Sequence, residues 1–342
     1  MLDRHGFGSK KATIKLVEQI KDIKPDIIHL HNIHGYYINI EILFNYLATT
    51  TIPIVWTLHD CWSFTGHCSY FDFVECNKWK TGCYSCPQKK EYPASIFIDN
   101  SKKNYLNKLS LFTSVKNLTI VPVSNWLGNL VKDSFLNKYP LQLIYNGVNH
   151  ASFSPQINQS IKTKLGVGNR LMLLGVASIW EKRKGLDDFI SLNKIINPDC
   201  VIVLIGLNQK QLKEIPSNII GISRTEDIQE LAEIYSTADL FLNLTYEDNF
   251  PTTNLEALAC GTPVLTYNTG GSIEAVTLDT GFIVEKGDLN AVLAAIDIIK
   301  TKGKSTYTSA SRERAVNFYN KDDRYMEYLK LYETLISNKG NS

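Results

Sequence analysis

LFLNLTYEDNFPTTNLEALACGTPV, residues 240–264, decides the fold. The apolar run Leu240–Leu244 reads as a buried strand. Thr245–Pro251 is a polar loop, and a helix is expected from about Thr253 to Cys260. Gly261 stops that helix and Pro263 opens the next strand. In open α/β sheets, a loop at the carboxyl end of a parallel strand is where ligands bind. Glu247, Asp248 and Glu256 place three carboxylates there, which suits sugar hydroxyls, while free helix N–H groups suit a phosphate. Thr253-Asn254-Leu255-Glu256 also fits a capping box, with Thr253 as N-cap and Glu256 reaching back to its amide. Capping does not explain Asp248, eight positions earlier at the mouth of the same loop.

Outward from this unit, the pattern alternates strand and helix, which implies parallel sheets. Toward the C-terminus, Gly270-Gly271 follows a strand end. The strand Phe282–Val284 and helices Leu289–Lys300, Thr308–Tyr319 and Asp322–Ile336 come after. Toward the N-terminus lie the strands Leu171–Ala177, Val201–Ile205 and Ile219–Ile222, with helices Gly185–Ile196 and Asp227–Ser236. Asn146–Pro155 reads as a linker. Before it come the strands Asp26–His31, Ile54–Leu58, Leu118–Val123 and Leu141–Tyr145. Helices are expected at Lys11–Ile23, Tyr36–Ala48, Asp99–Ser114 and Trp126–Phe135. Residues His5–Lys10 look like half of a phosphate loop, but no strand precedes them, so they read as a turn.

The chain of 342 residues, 44% hydrophobic and 20% charged, has an ordinary composition for two domains. A net charge of +2 gives no argument for nucleic acid. The apolar run Leu171–Trp180 is far short of a membrane span. The start, MLDRHGFGSK, lacks the apolar core of a signal peptide, so the expected location is cytoplasmic. Cys61, Cys68, Cys76, Cys83 and Cys86 cluster in the irregular stretch 61–93. Cys68-x7-Cys76-x6-Cys83-x2-Cys86 ends like a zinc knuckle, and four thiolates would complete a structural zinc site. Free cysteines in a loop are the alternative reading. Eight lysines lie within Lys78–Lys116, near Tyr70, Phe71, Phe73, Trp79 and Tyr84. They fit a peripheral membrane-facing patch or a solvated face.

Asp248-x7-Glu256-Ala257, running into Cys260-Gly261-Thr262-Pro263-Val264, resembles the signature of retaining GT-B glycosyltransferases of glycosyltransferase family 4. The family's first acid is usually Glu; here it is Asp248, with Glu247 adjacent. The resemblance implies an α/β fold of GT-B type, two Rossmann-like doubly wound parallel-sheet domains facing a cleft. The expected division is 1–148, an acceptor-side domain carrying the cysteine-rich insertion, then 149–320, a nucleotide-sugar-binding domain. A final helix, 321–342, crosses back to the first. Relative to this pattern the N-terminal domain looks incomplete, lacking its first strands.

The resemblance also assigns roles. Arg183 and Lys184, in an Arg-Lys-Gly element opening a helix, grip the donor's diphosphate; a further family Arg falls at Ser178. Glu256 accepts hydrogen bonds from ribose hydroxyls, and Asp248 holds hydroxyls of the transferred sugar. Amides around Asn249, Phe250, Pro251 and Thr252 face sugar and phosphate, with the base near Ser223 and Arg224. His59 corresponds to a histidine near the anomeric carbon, though a strand-end histidine also caps loops. His29 and His31 alternate with apolar neighbours and share a face. The implied activity is hexosyl transfer with retention, from a UDP- or GDP-sugar to a glycan or polyprenyl-linked acceptor, with no metal needed for catalysis. A GT-B epimerase or phosphorylase, and a catalytically impaired nucleotide-sugar-binding fragment, are the competing readings.

Overall fold

A computed structural model describes residues 3–95, 97–156 and 160–339. The chain divides into two units, one of Met1–Tyr145 with Met326–Ser342 and one of Asn146–Tyr325.

The second unit is built on six strands: β4 (Leu171–Val176), β5 (Cys200–Ile205), β6 (Ile220–Ile222), β7 (Leu240–Asn243), β8 (Val264–Tyr267) and β9 (Gly281–Val284). Their order is β6-β5-β4-β7-β8-β9, with every pairing parallel. β5, β7 and β8 are apolar along nearly their whole length because helices cover both faces of such a sheet. Strand order reverses between β4 and β7, where Leu173 pairs with Leu240. The crevice outside the carboxyl ends of two such strands is the ligand site of doubly wound folds. Here those ends lead into residues 177–185 and 244–251.

The first unit holds a three-stranded parallel sheet in the order β1 (Ile28–Leu30), β2 (Ile54–Leu58), β3 (Leu118–Pro122). Phe44, Trp56, Trp62 and Phe112 fill one face. Val55, Val121 and Ile144 pack on the other against Tyr328, Leu331, Tyr332 and Leu335 of the last helix, Lys321–Lys339. Side-chain caps set two helix starts. The Ile42 N–H donates to Asn39 ahead of Ile40–Leu47, and the Leu127 N–H to Ser124 ahead of Asn125–Lys132.

Leu141–Tyr145 is not a strand, contrary to the sequence reading. It runs beside β3, and the N–H groups of Gln142 and Ile144 donate to Ile120 and Pro122. Ile120 returns a hydrogen bond to Pro140, but Pro122, at the next ladder position, has no N–H to give. Only the Ile120–Leu141 bridge remains.

Between β2 and the helix Ser101–Phe112, regular structure among the described residues amounts to two 3-10 turns, Trp62–Phe64 and Lys78–Lys80.

Candidate active site

The loops after β4 and β7 are joined through backbone and charge. A 3-10 turn, Lys182–Lys184, precedes the helix Leu186–Asn193. The Arg183 carbonyl accepts from the Tyr246 N–H at 2.7 Å and from the Thr245 hydroxyl at 3.1 Å. Gly185 makes this approach possible. Its φ is +73°, and a Cβ there would lie 2.0 Å from the Leu244 carbonyl oxygen.

Charged groups converge at this seam. The Arg183 guanidinium donates to the Glu247 carbonyl at 3.2 Å and pairs with Glu181 at 3.1 Å. The Lys184 ammonium pairs with Asp248 at 2.5 Å. Glu247, Asp248, Asn249 and Phe250 are buried. The Phe250 ring packs on Tyr319 with centroids 5.6 Å apart. On the far side, the Gly271 N–H donates to the Asp248 carbonyl at 3.3 Å.

The helix begins one residue earlier than the sequence suggested. It spans Thr252–Ala259 behind Pro251, and no side chain caps it. Glu256 is therefore the fifth helical residue, out of reach of an N-cap amide, and the capping-box reading fails. Its carboxylate instead accepts from the Tyr235 hydroxyl at 3.0 Å and from Thr252. Burial raises the Glu256 carboxyl above the usual carboxylate range, while those two hydrogen bonds oppose the rise. Asn254 fixes the helix start. Its side chain accepts from Asn243 at 2.8 Å and donates to the Ser272 carbonyl at 3.1 Å.

Ser223 and Arg224 are exposed just beyond the edge strand β6, two strands from β4. Tyr235 and Asn254 escaped the sequence reading, as did Asp188, which accepts from Tyr246 at 2.8 Å and Tyr267 at 2.5 Å. Their partners lie far away in sequence, and no local pattern marks them. A cavity of about 320 Å³ lies at the opposite, amino-terminal ends of β4, β5 and β7. It therefore stands apart from the site.

In the first unit, His59 follows β2 and its Nε2 lies 3.0 Å from His31 Nδ1. His29 bridges Thr57 at 2.8 Å and the Tyr332 hydroxyl at 2.5 Å. Burial, then the neighbouring imidazoles, lower His29 to about 4. Burial likewise lowers His31 and His59, with His31 adding to the effect on His59. His34 sits 2.9 Å from Asp60 and 3.1 Å from the Tyr92 hydroxyl.

Cys68, Cys76, Cys83 and Cys86 line one small cavity, and all are free thiols. Among the described residues, no group of three or more His, Cys, Asp or Glu is already spaced as a metal site. No described helix is long and apolar enough to cross a membrane.

Comparison with known proteins follows this division. Residues 158–316 match the family model "Glycosyl transferases group 1". The Escherichia coli K12 protein WcaC, by name a colanic acid biosynthesis glycosyl transferase, is 25% identical over 358 residues; the match covers 98% of this chain and 82% of WcaC. Further curated relatives are matched over about half of their own length. Among solved structures, sucrose-phosphate synthase from Thermosynechococcus elongatus superposes with a TM-score of 0.71 at 18% identity, covering 95% of this chain and 78% of that one. Anabaena HepE in complex with UDP gives 0.70 at 15% identity, covering 94% and 82%. The chain thus has the fold of the GT-B glycosyltransferases, and its residues 158–316 match the group 1 glycosyl transferase model.

Proposed function

We propose that the second unit binds a nucleoside diphosphate sugar, and that the chain transfers the sugar with retention to a glycan or polyprenyl-linked acceptor. The observation that carries this is the pairing of Lys184 with Asp248 beside Arg183, at the point where strand order reverses. When the donor's phosphates take the place of Glu181 and Asp248 on them, Arg183 and Lys184 offset the charge that a departing diphosphate gains, and the donor site needs no divalent metal. The Arg183 guanidinium suits two phosphate oxygens at once. Asp248 accepts hydroxyls of the transferred sugar, and Glu256 accepts those of the ribose. Backbone around Asn249, Phe250, Pro251 and Thr252 faces sugar and phosphate, with Ser223 and Arg224 near the base.

The donor's anomeric C–O bond breaks toward the diphosphate. The acceptor oxygen bonds the same face of the sugar, and its proton passes to a leaving-phosphate oxygen. His59 serves the acceptor-bearing unit, its ring held beside His31. HepE, of the same fold, has been solved with UDP and with UDP-glucose, which supports a nucleotide-sugar donor. WcaC, named for colanic acid biosynthesis, supports a glycan acceptor. The protein acts at the inner face of the membrane, where polyprenyl-linked acceptors are presented.

Calorimetric titration with UDP and GDP, with and without a chelator, tests this reading. One of the two is expected to bind equally in both conditions. Binding that disappears with the chelator sinks the metal-free account. No binding of either nucleotide sinks the donor assignment.

A further inference from the structure

We propose that Cys68, Cys76, Cys83 and Cys86 hold one structural zinc ion that orders the segment between β2 and the helix Ser101–Phe112. The four residues come from two loops separated in sequence, yet they line a single cavity of about 10 Å³. That is room for one water-sized body, enough for an ion. Four cysteines lining one cavity supply the ligand types of a closed, tetrahedral, structural zinc site.

The surroundings are built to hold the sulfurs. The Gly66 N–H donates to the Cys83 sulfur at 3.1 Å, as backbone amides do for metal-bound thiolates. Only glycine allows this approach, since a Cβ at Gly66 would meet the Ser101 carbonyl oxygen at 2.2 Å and the Cys83 Cβ at 2.6 Å. The Cys86 N–H donates to Asp99 at 2.7 Å. Lys78 donates to the carbonyls of Tyr84 and Ser85 at 3.1 Å each, pinning the turn inside Cys83-x2-Cys86. In the other half, Thr65 donates to the Cys68 carbonyl at 2.6 Å and the Cys76 N–H to the Phe71 carbonyl at 3.1 Å. Phe71 fills the longer Cys68–Cys76 loop by stacking on Trp79 with centroids 5.1 Å apart. That packing accommodates a spacing longer than the usual knuckle.

Charge balance agrees. A zinc tetrathiolate carries two net negative charges. Lys78 stands in the cavity wall, and the fully buried Lys108 lies within electrostatic reach of Cys68 and Cys83. A buried ammonium calls for nearby negative charge, and a tetrathiolate supplies it.

The test uses the full chain, purified without added metal and dialysed against a chelator. Elemental analysis should find one zinc per chain, released in step with titration of the thiols by a mercurial. Cobalt exchanged into the site should show the absorption of tetrahedral thiolate coordination. Cys76→Ser and Cys83→Ser should each lose the metal, while Cys200→Ser, outside the cluster, keeps it. A near-zero zinc content with free thiols overturns the proposal, as does an intact mass showing disulfides among the four. Both readouts are taken on the unaltered chain, so a variant that fails to fold does not blunt the test.

Discussion

Residues 240–264 are buried almost throughout and 61–95 only in part, and the two are ordered in opposite ways. The first satisfies its backbone in a ladder, β7 between β4 and β8, and in the helix that follows. The second has two 3-10 turns, and its order comes from side chains: the Phe64, Phe71 and Trp79 cluster, Lys108 and the cysteines. A segment of the first kind depends on pattern, so single side chains matter mainly for ligand binding. One of the second kind depends on a few anchors whose loss leaves buried groups unpaired.

Lys108 gives the largest contrast. Its ammonium donates to the carbonyls of Trp62 at 2.7 Å and Thr65 at 3.1 Å and lies 3.3 Å from the Trp62 ring centroid. Lys108→Met takes the ammonium from both carbonyls and leaves Trp62's only the long bonds from Thr65, for a loss of about 2–4 kcal/mol. Urea unfolding measures it, and nucleotide affinity should not change because every donor contact assigned here lies within 146–325. A loss under about 1 kcal/mol would show that aromatic packing alone orders the segment.

On the other side of the comparison, substitutions should cost binding more than folding. Arg183→Ala and Glu256→Ala are each expected to weaken UDP by roughly 1.5–3 kcal/mol, the range for charge-assisted hydrogen bonds. Arg183→Ala should spare the nucleoside, whereas Glu256→Ala should weaken nucleoside and nucleotide alike. Glu256→Gln keeps an acceptor for the Tyr235 hydroxyl and separates ribose binding from that internal bond. Equal losses for both ligands in both variants would contradict the roles.

The sequence made much of the second unit legible. The apolar runs at Leu171, Val201 and Leu240 became β4, β5 and β7 with ends moved by a residue or so, because parallel strands are apolar on both faces. The sequence placed Arg183, Lys184 and Asp248 in loops after two strands, where the structure has them; that Lys184 and Asp248 pair was not legible, since they stand 64 positions apart. Leu141–Tyr145 misled because its own residues favour a strand, while the missing donor belongs to Pro122 on its neighbour. In 61–95, spacing displayed the cysteines but could not bring two loops to one cavity. The burial of Lys108 had no signal, since a lysine on a helix reads as solvated.

A smaller effect distinguishes the first unit by pH. His29 is flanked by His31, His59, Thr57, Tyr328 and Tyr332. Its folded value of about 4 lies below the ordinary 6.5. The unfolded chain therefore binds the proton more tightly. Stability from this group is present above the ordinary value and is lost as pH falls from there through the folded value. The partly exposed ring limits the loss to roughly 1–2 kcal/mol. Urea midpoints across that window should fall, and His29→Gln should flatten the dependence. A slope unchanged by the substitution would place the titration elsewhere.

The smallest effect bears on Glu256. Were Thr253 the N-cap of a capping box, Thr253→Ala would cost about 1 kcal/mol. The helix instead starts at Thr252 behind Pro251, and Thr253 lies inside its first turn. Alanine is the better helix former there, by up to about 0.7 kcal/mol. The variant should therefore match or slightly exceed the parent in urea midpoint and leave UDP affinity unchanged. Thr252→Ala serves as the counterpart, because it removes a hydrogen bond to the Glu256 carboxylate and should weaken ribose binding modestly. If Thr253→Ala is instead destabilising by the full capping value, Glu256 is spent on the helix's own amide. The ribose contact would then have to come from another residue of the same loop.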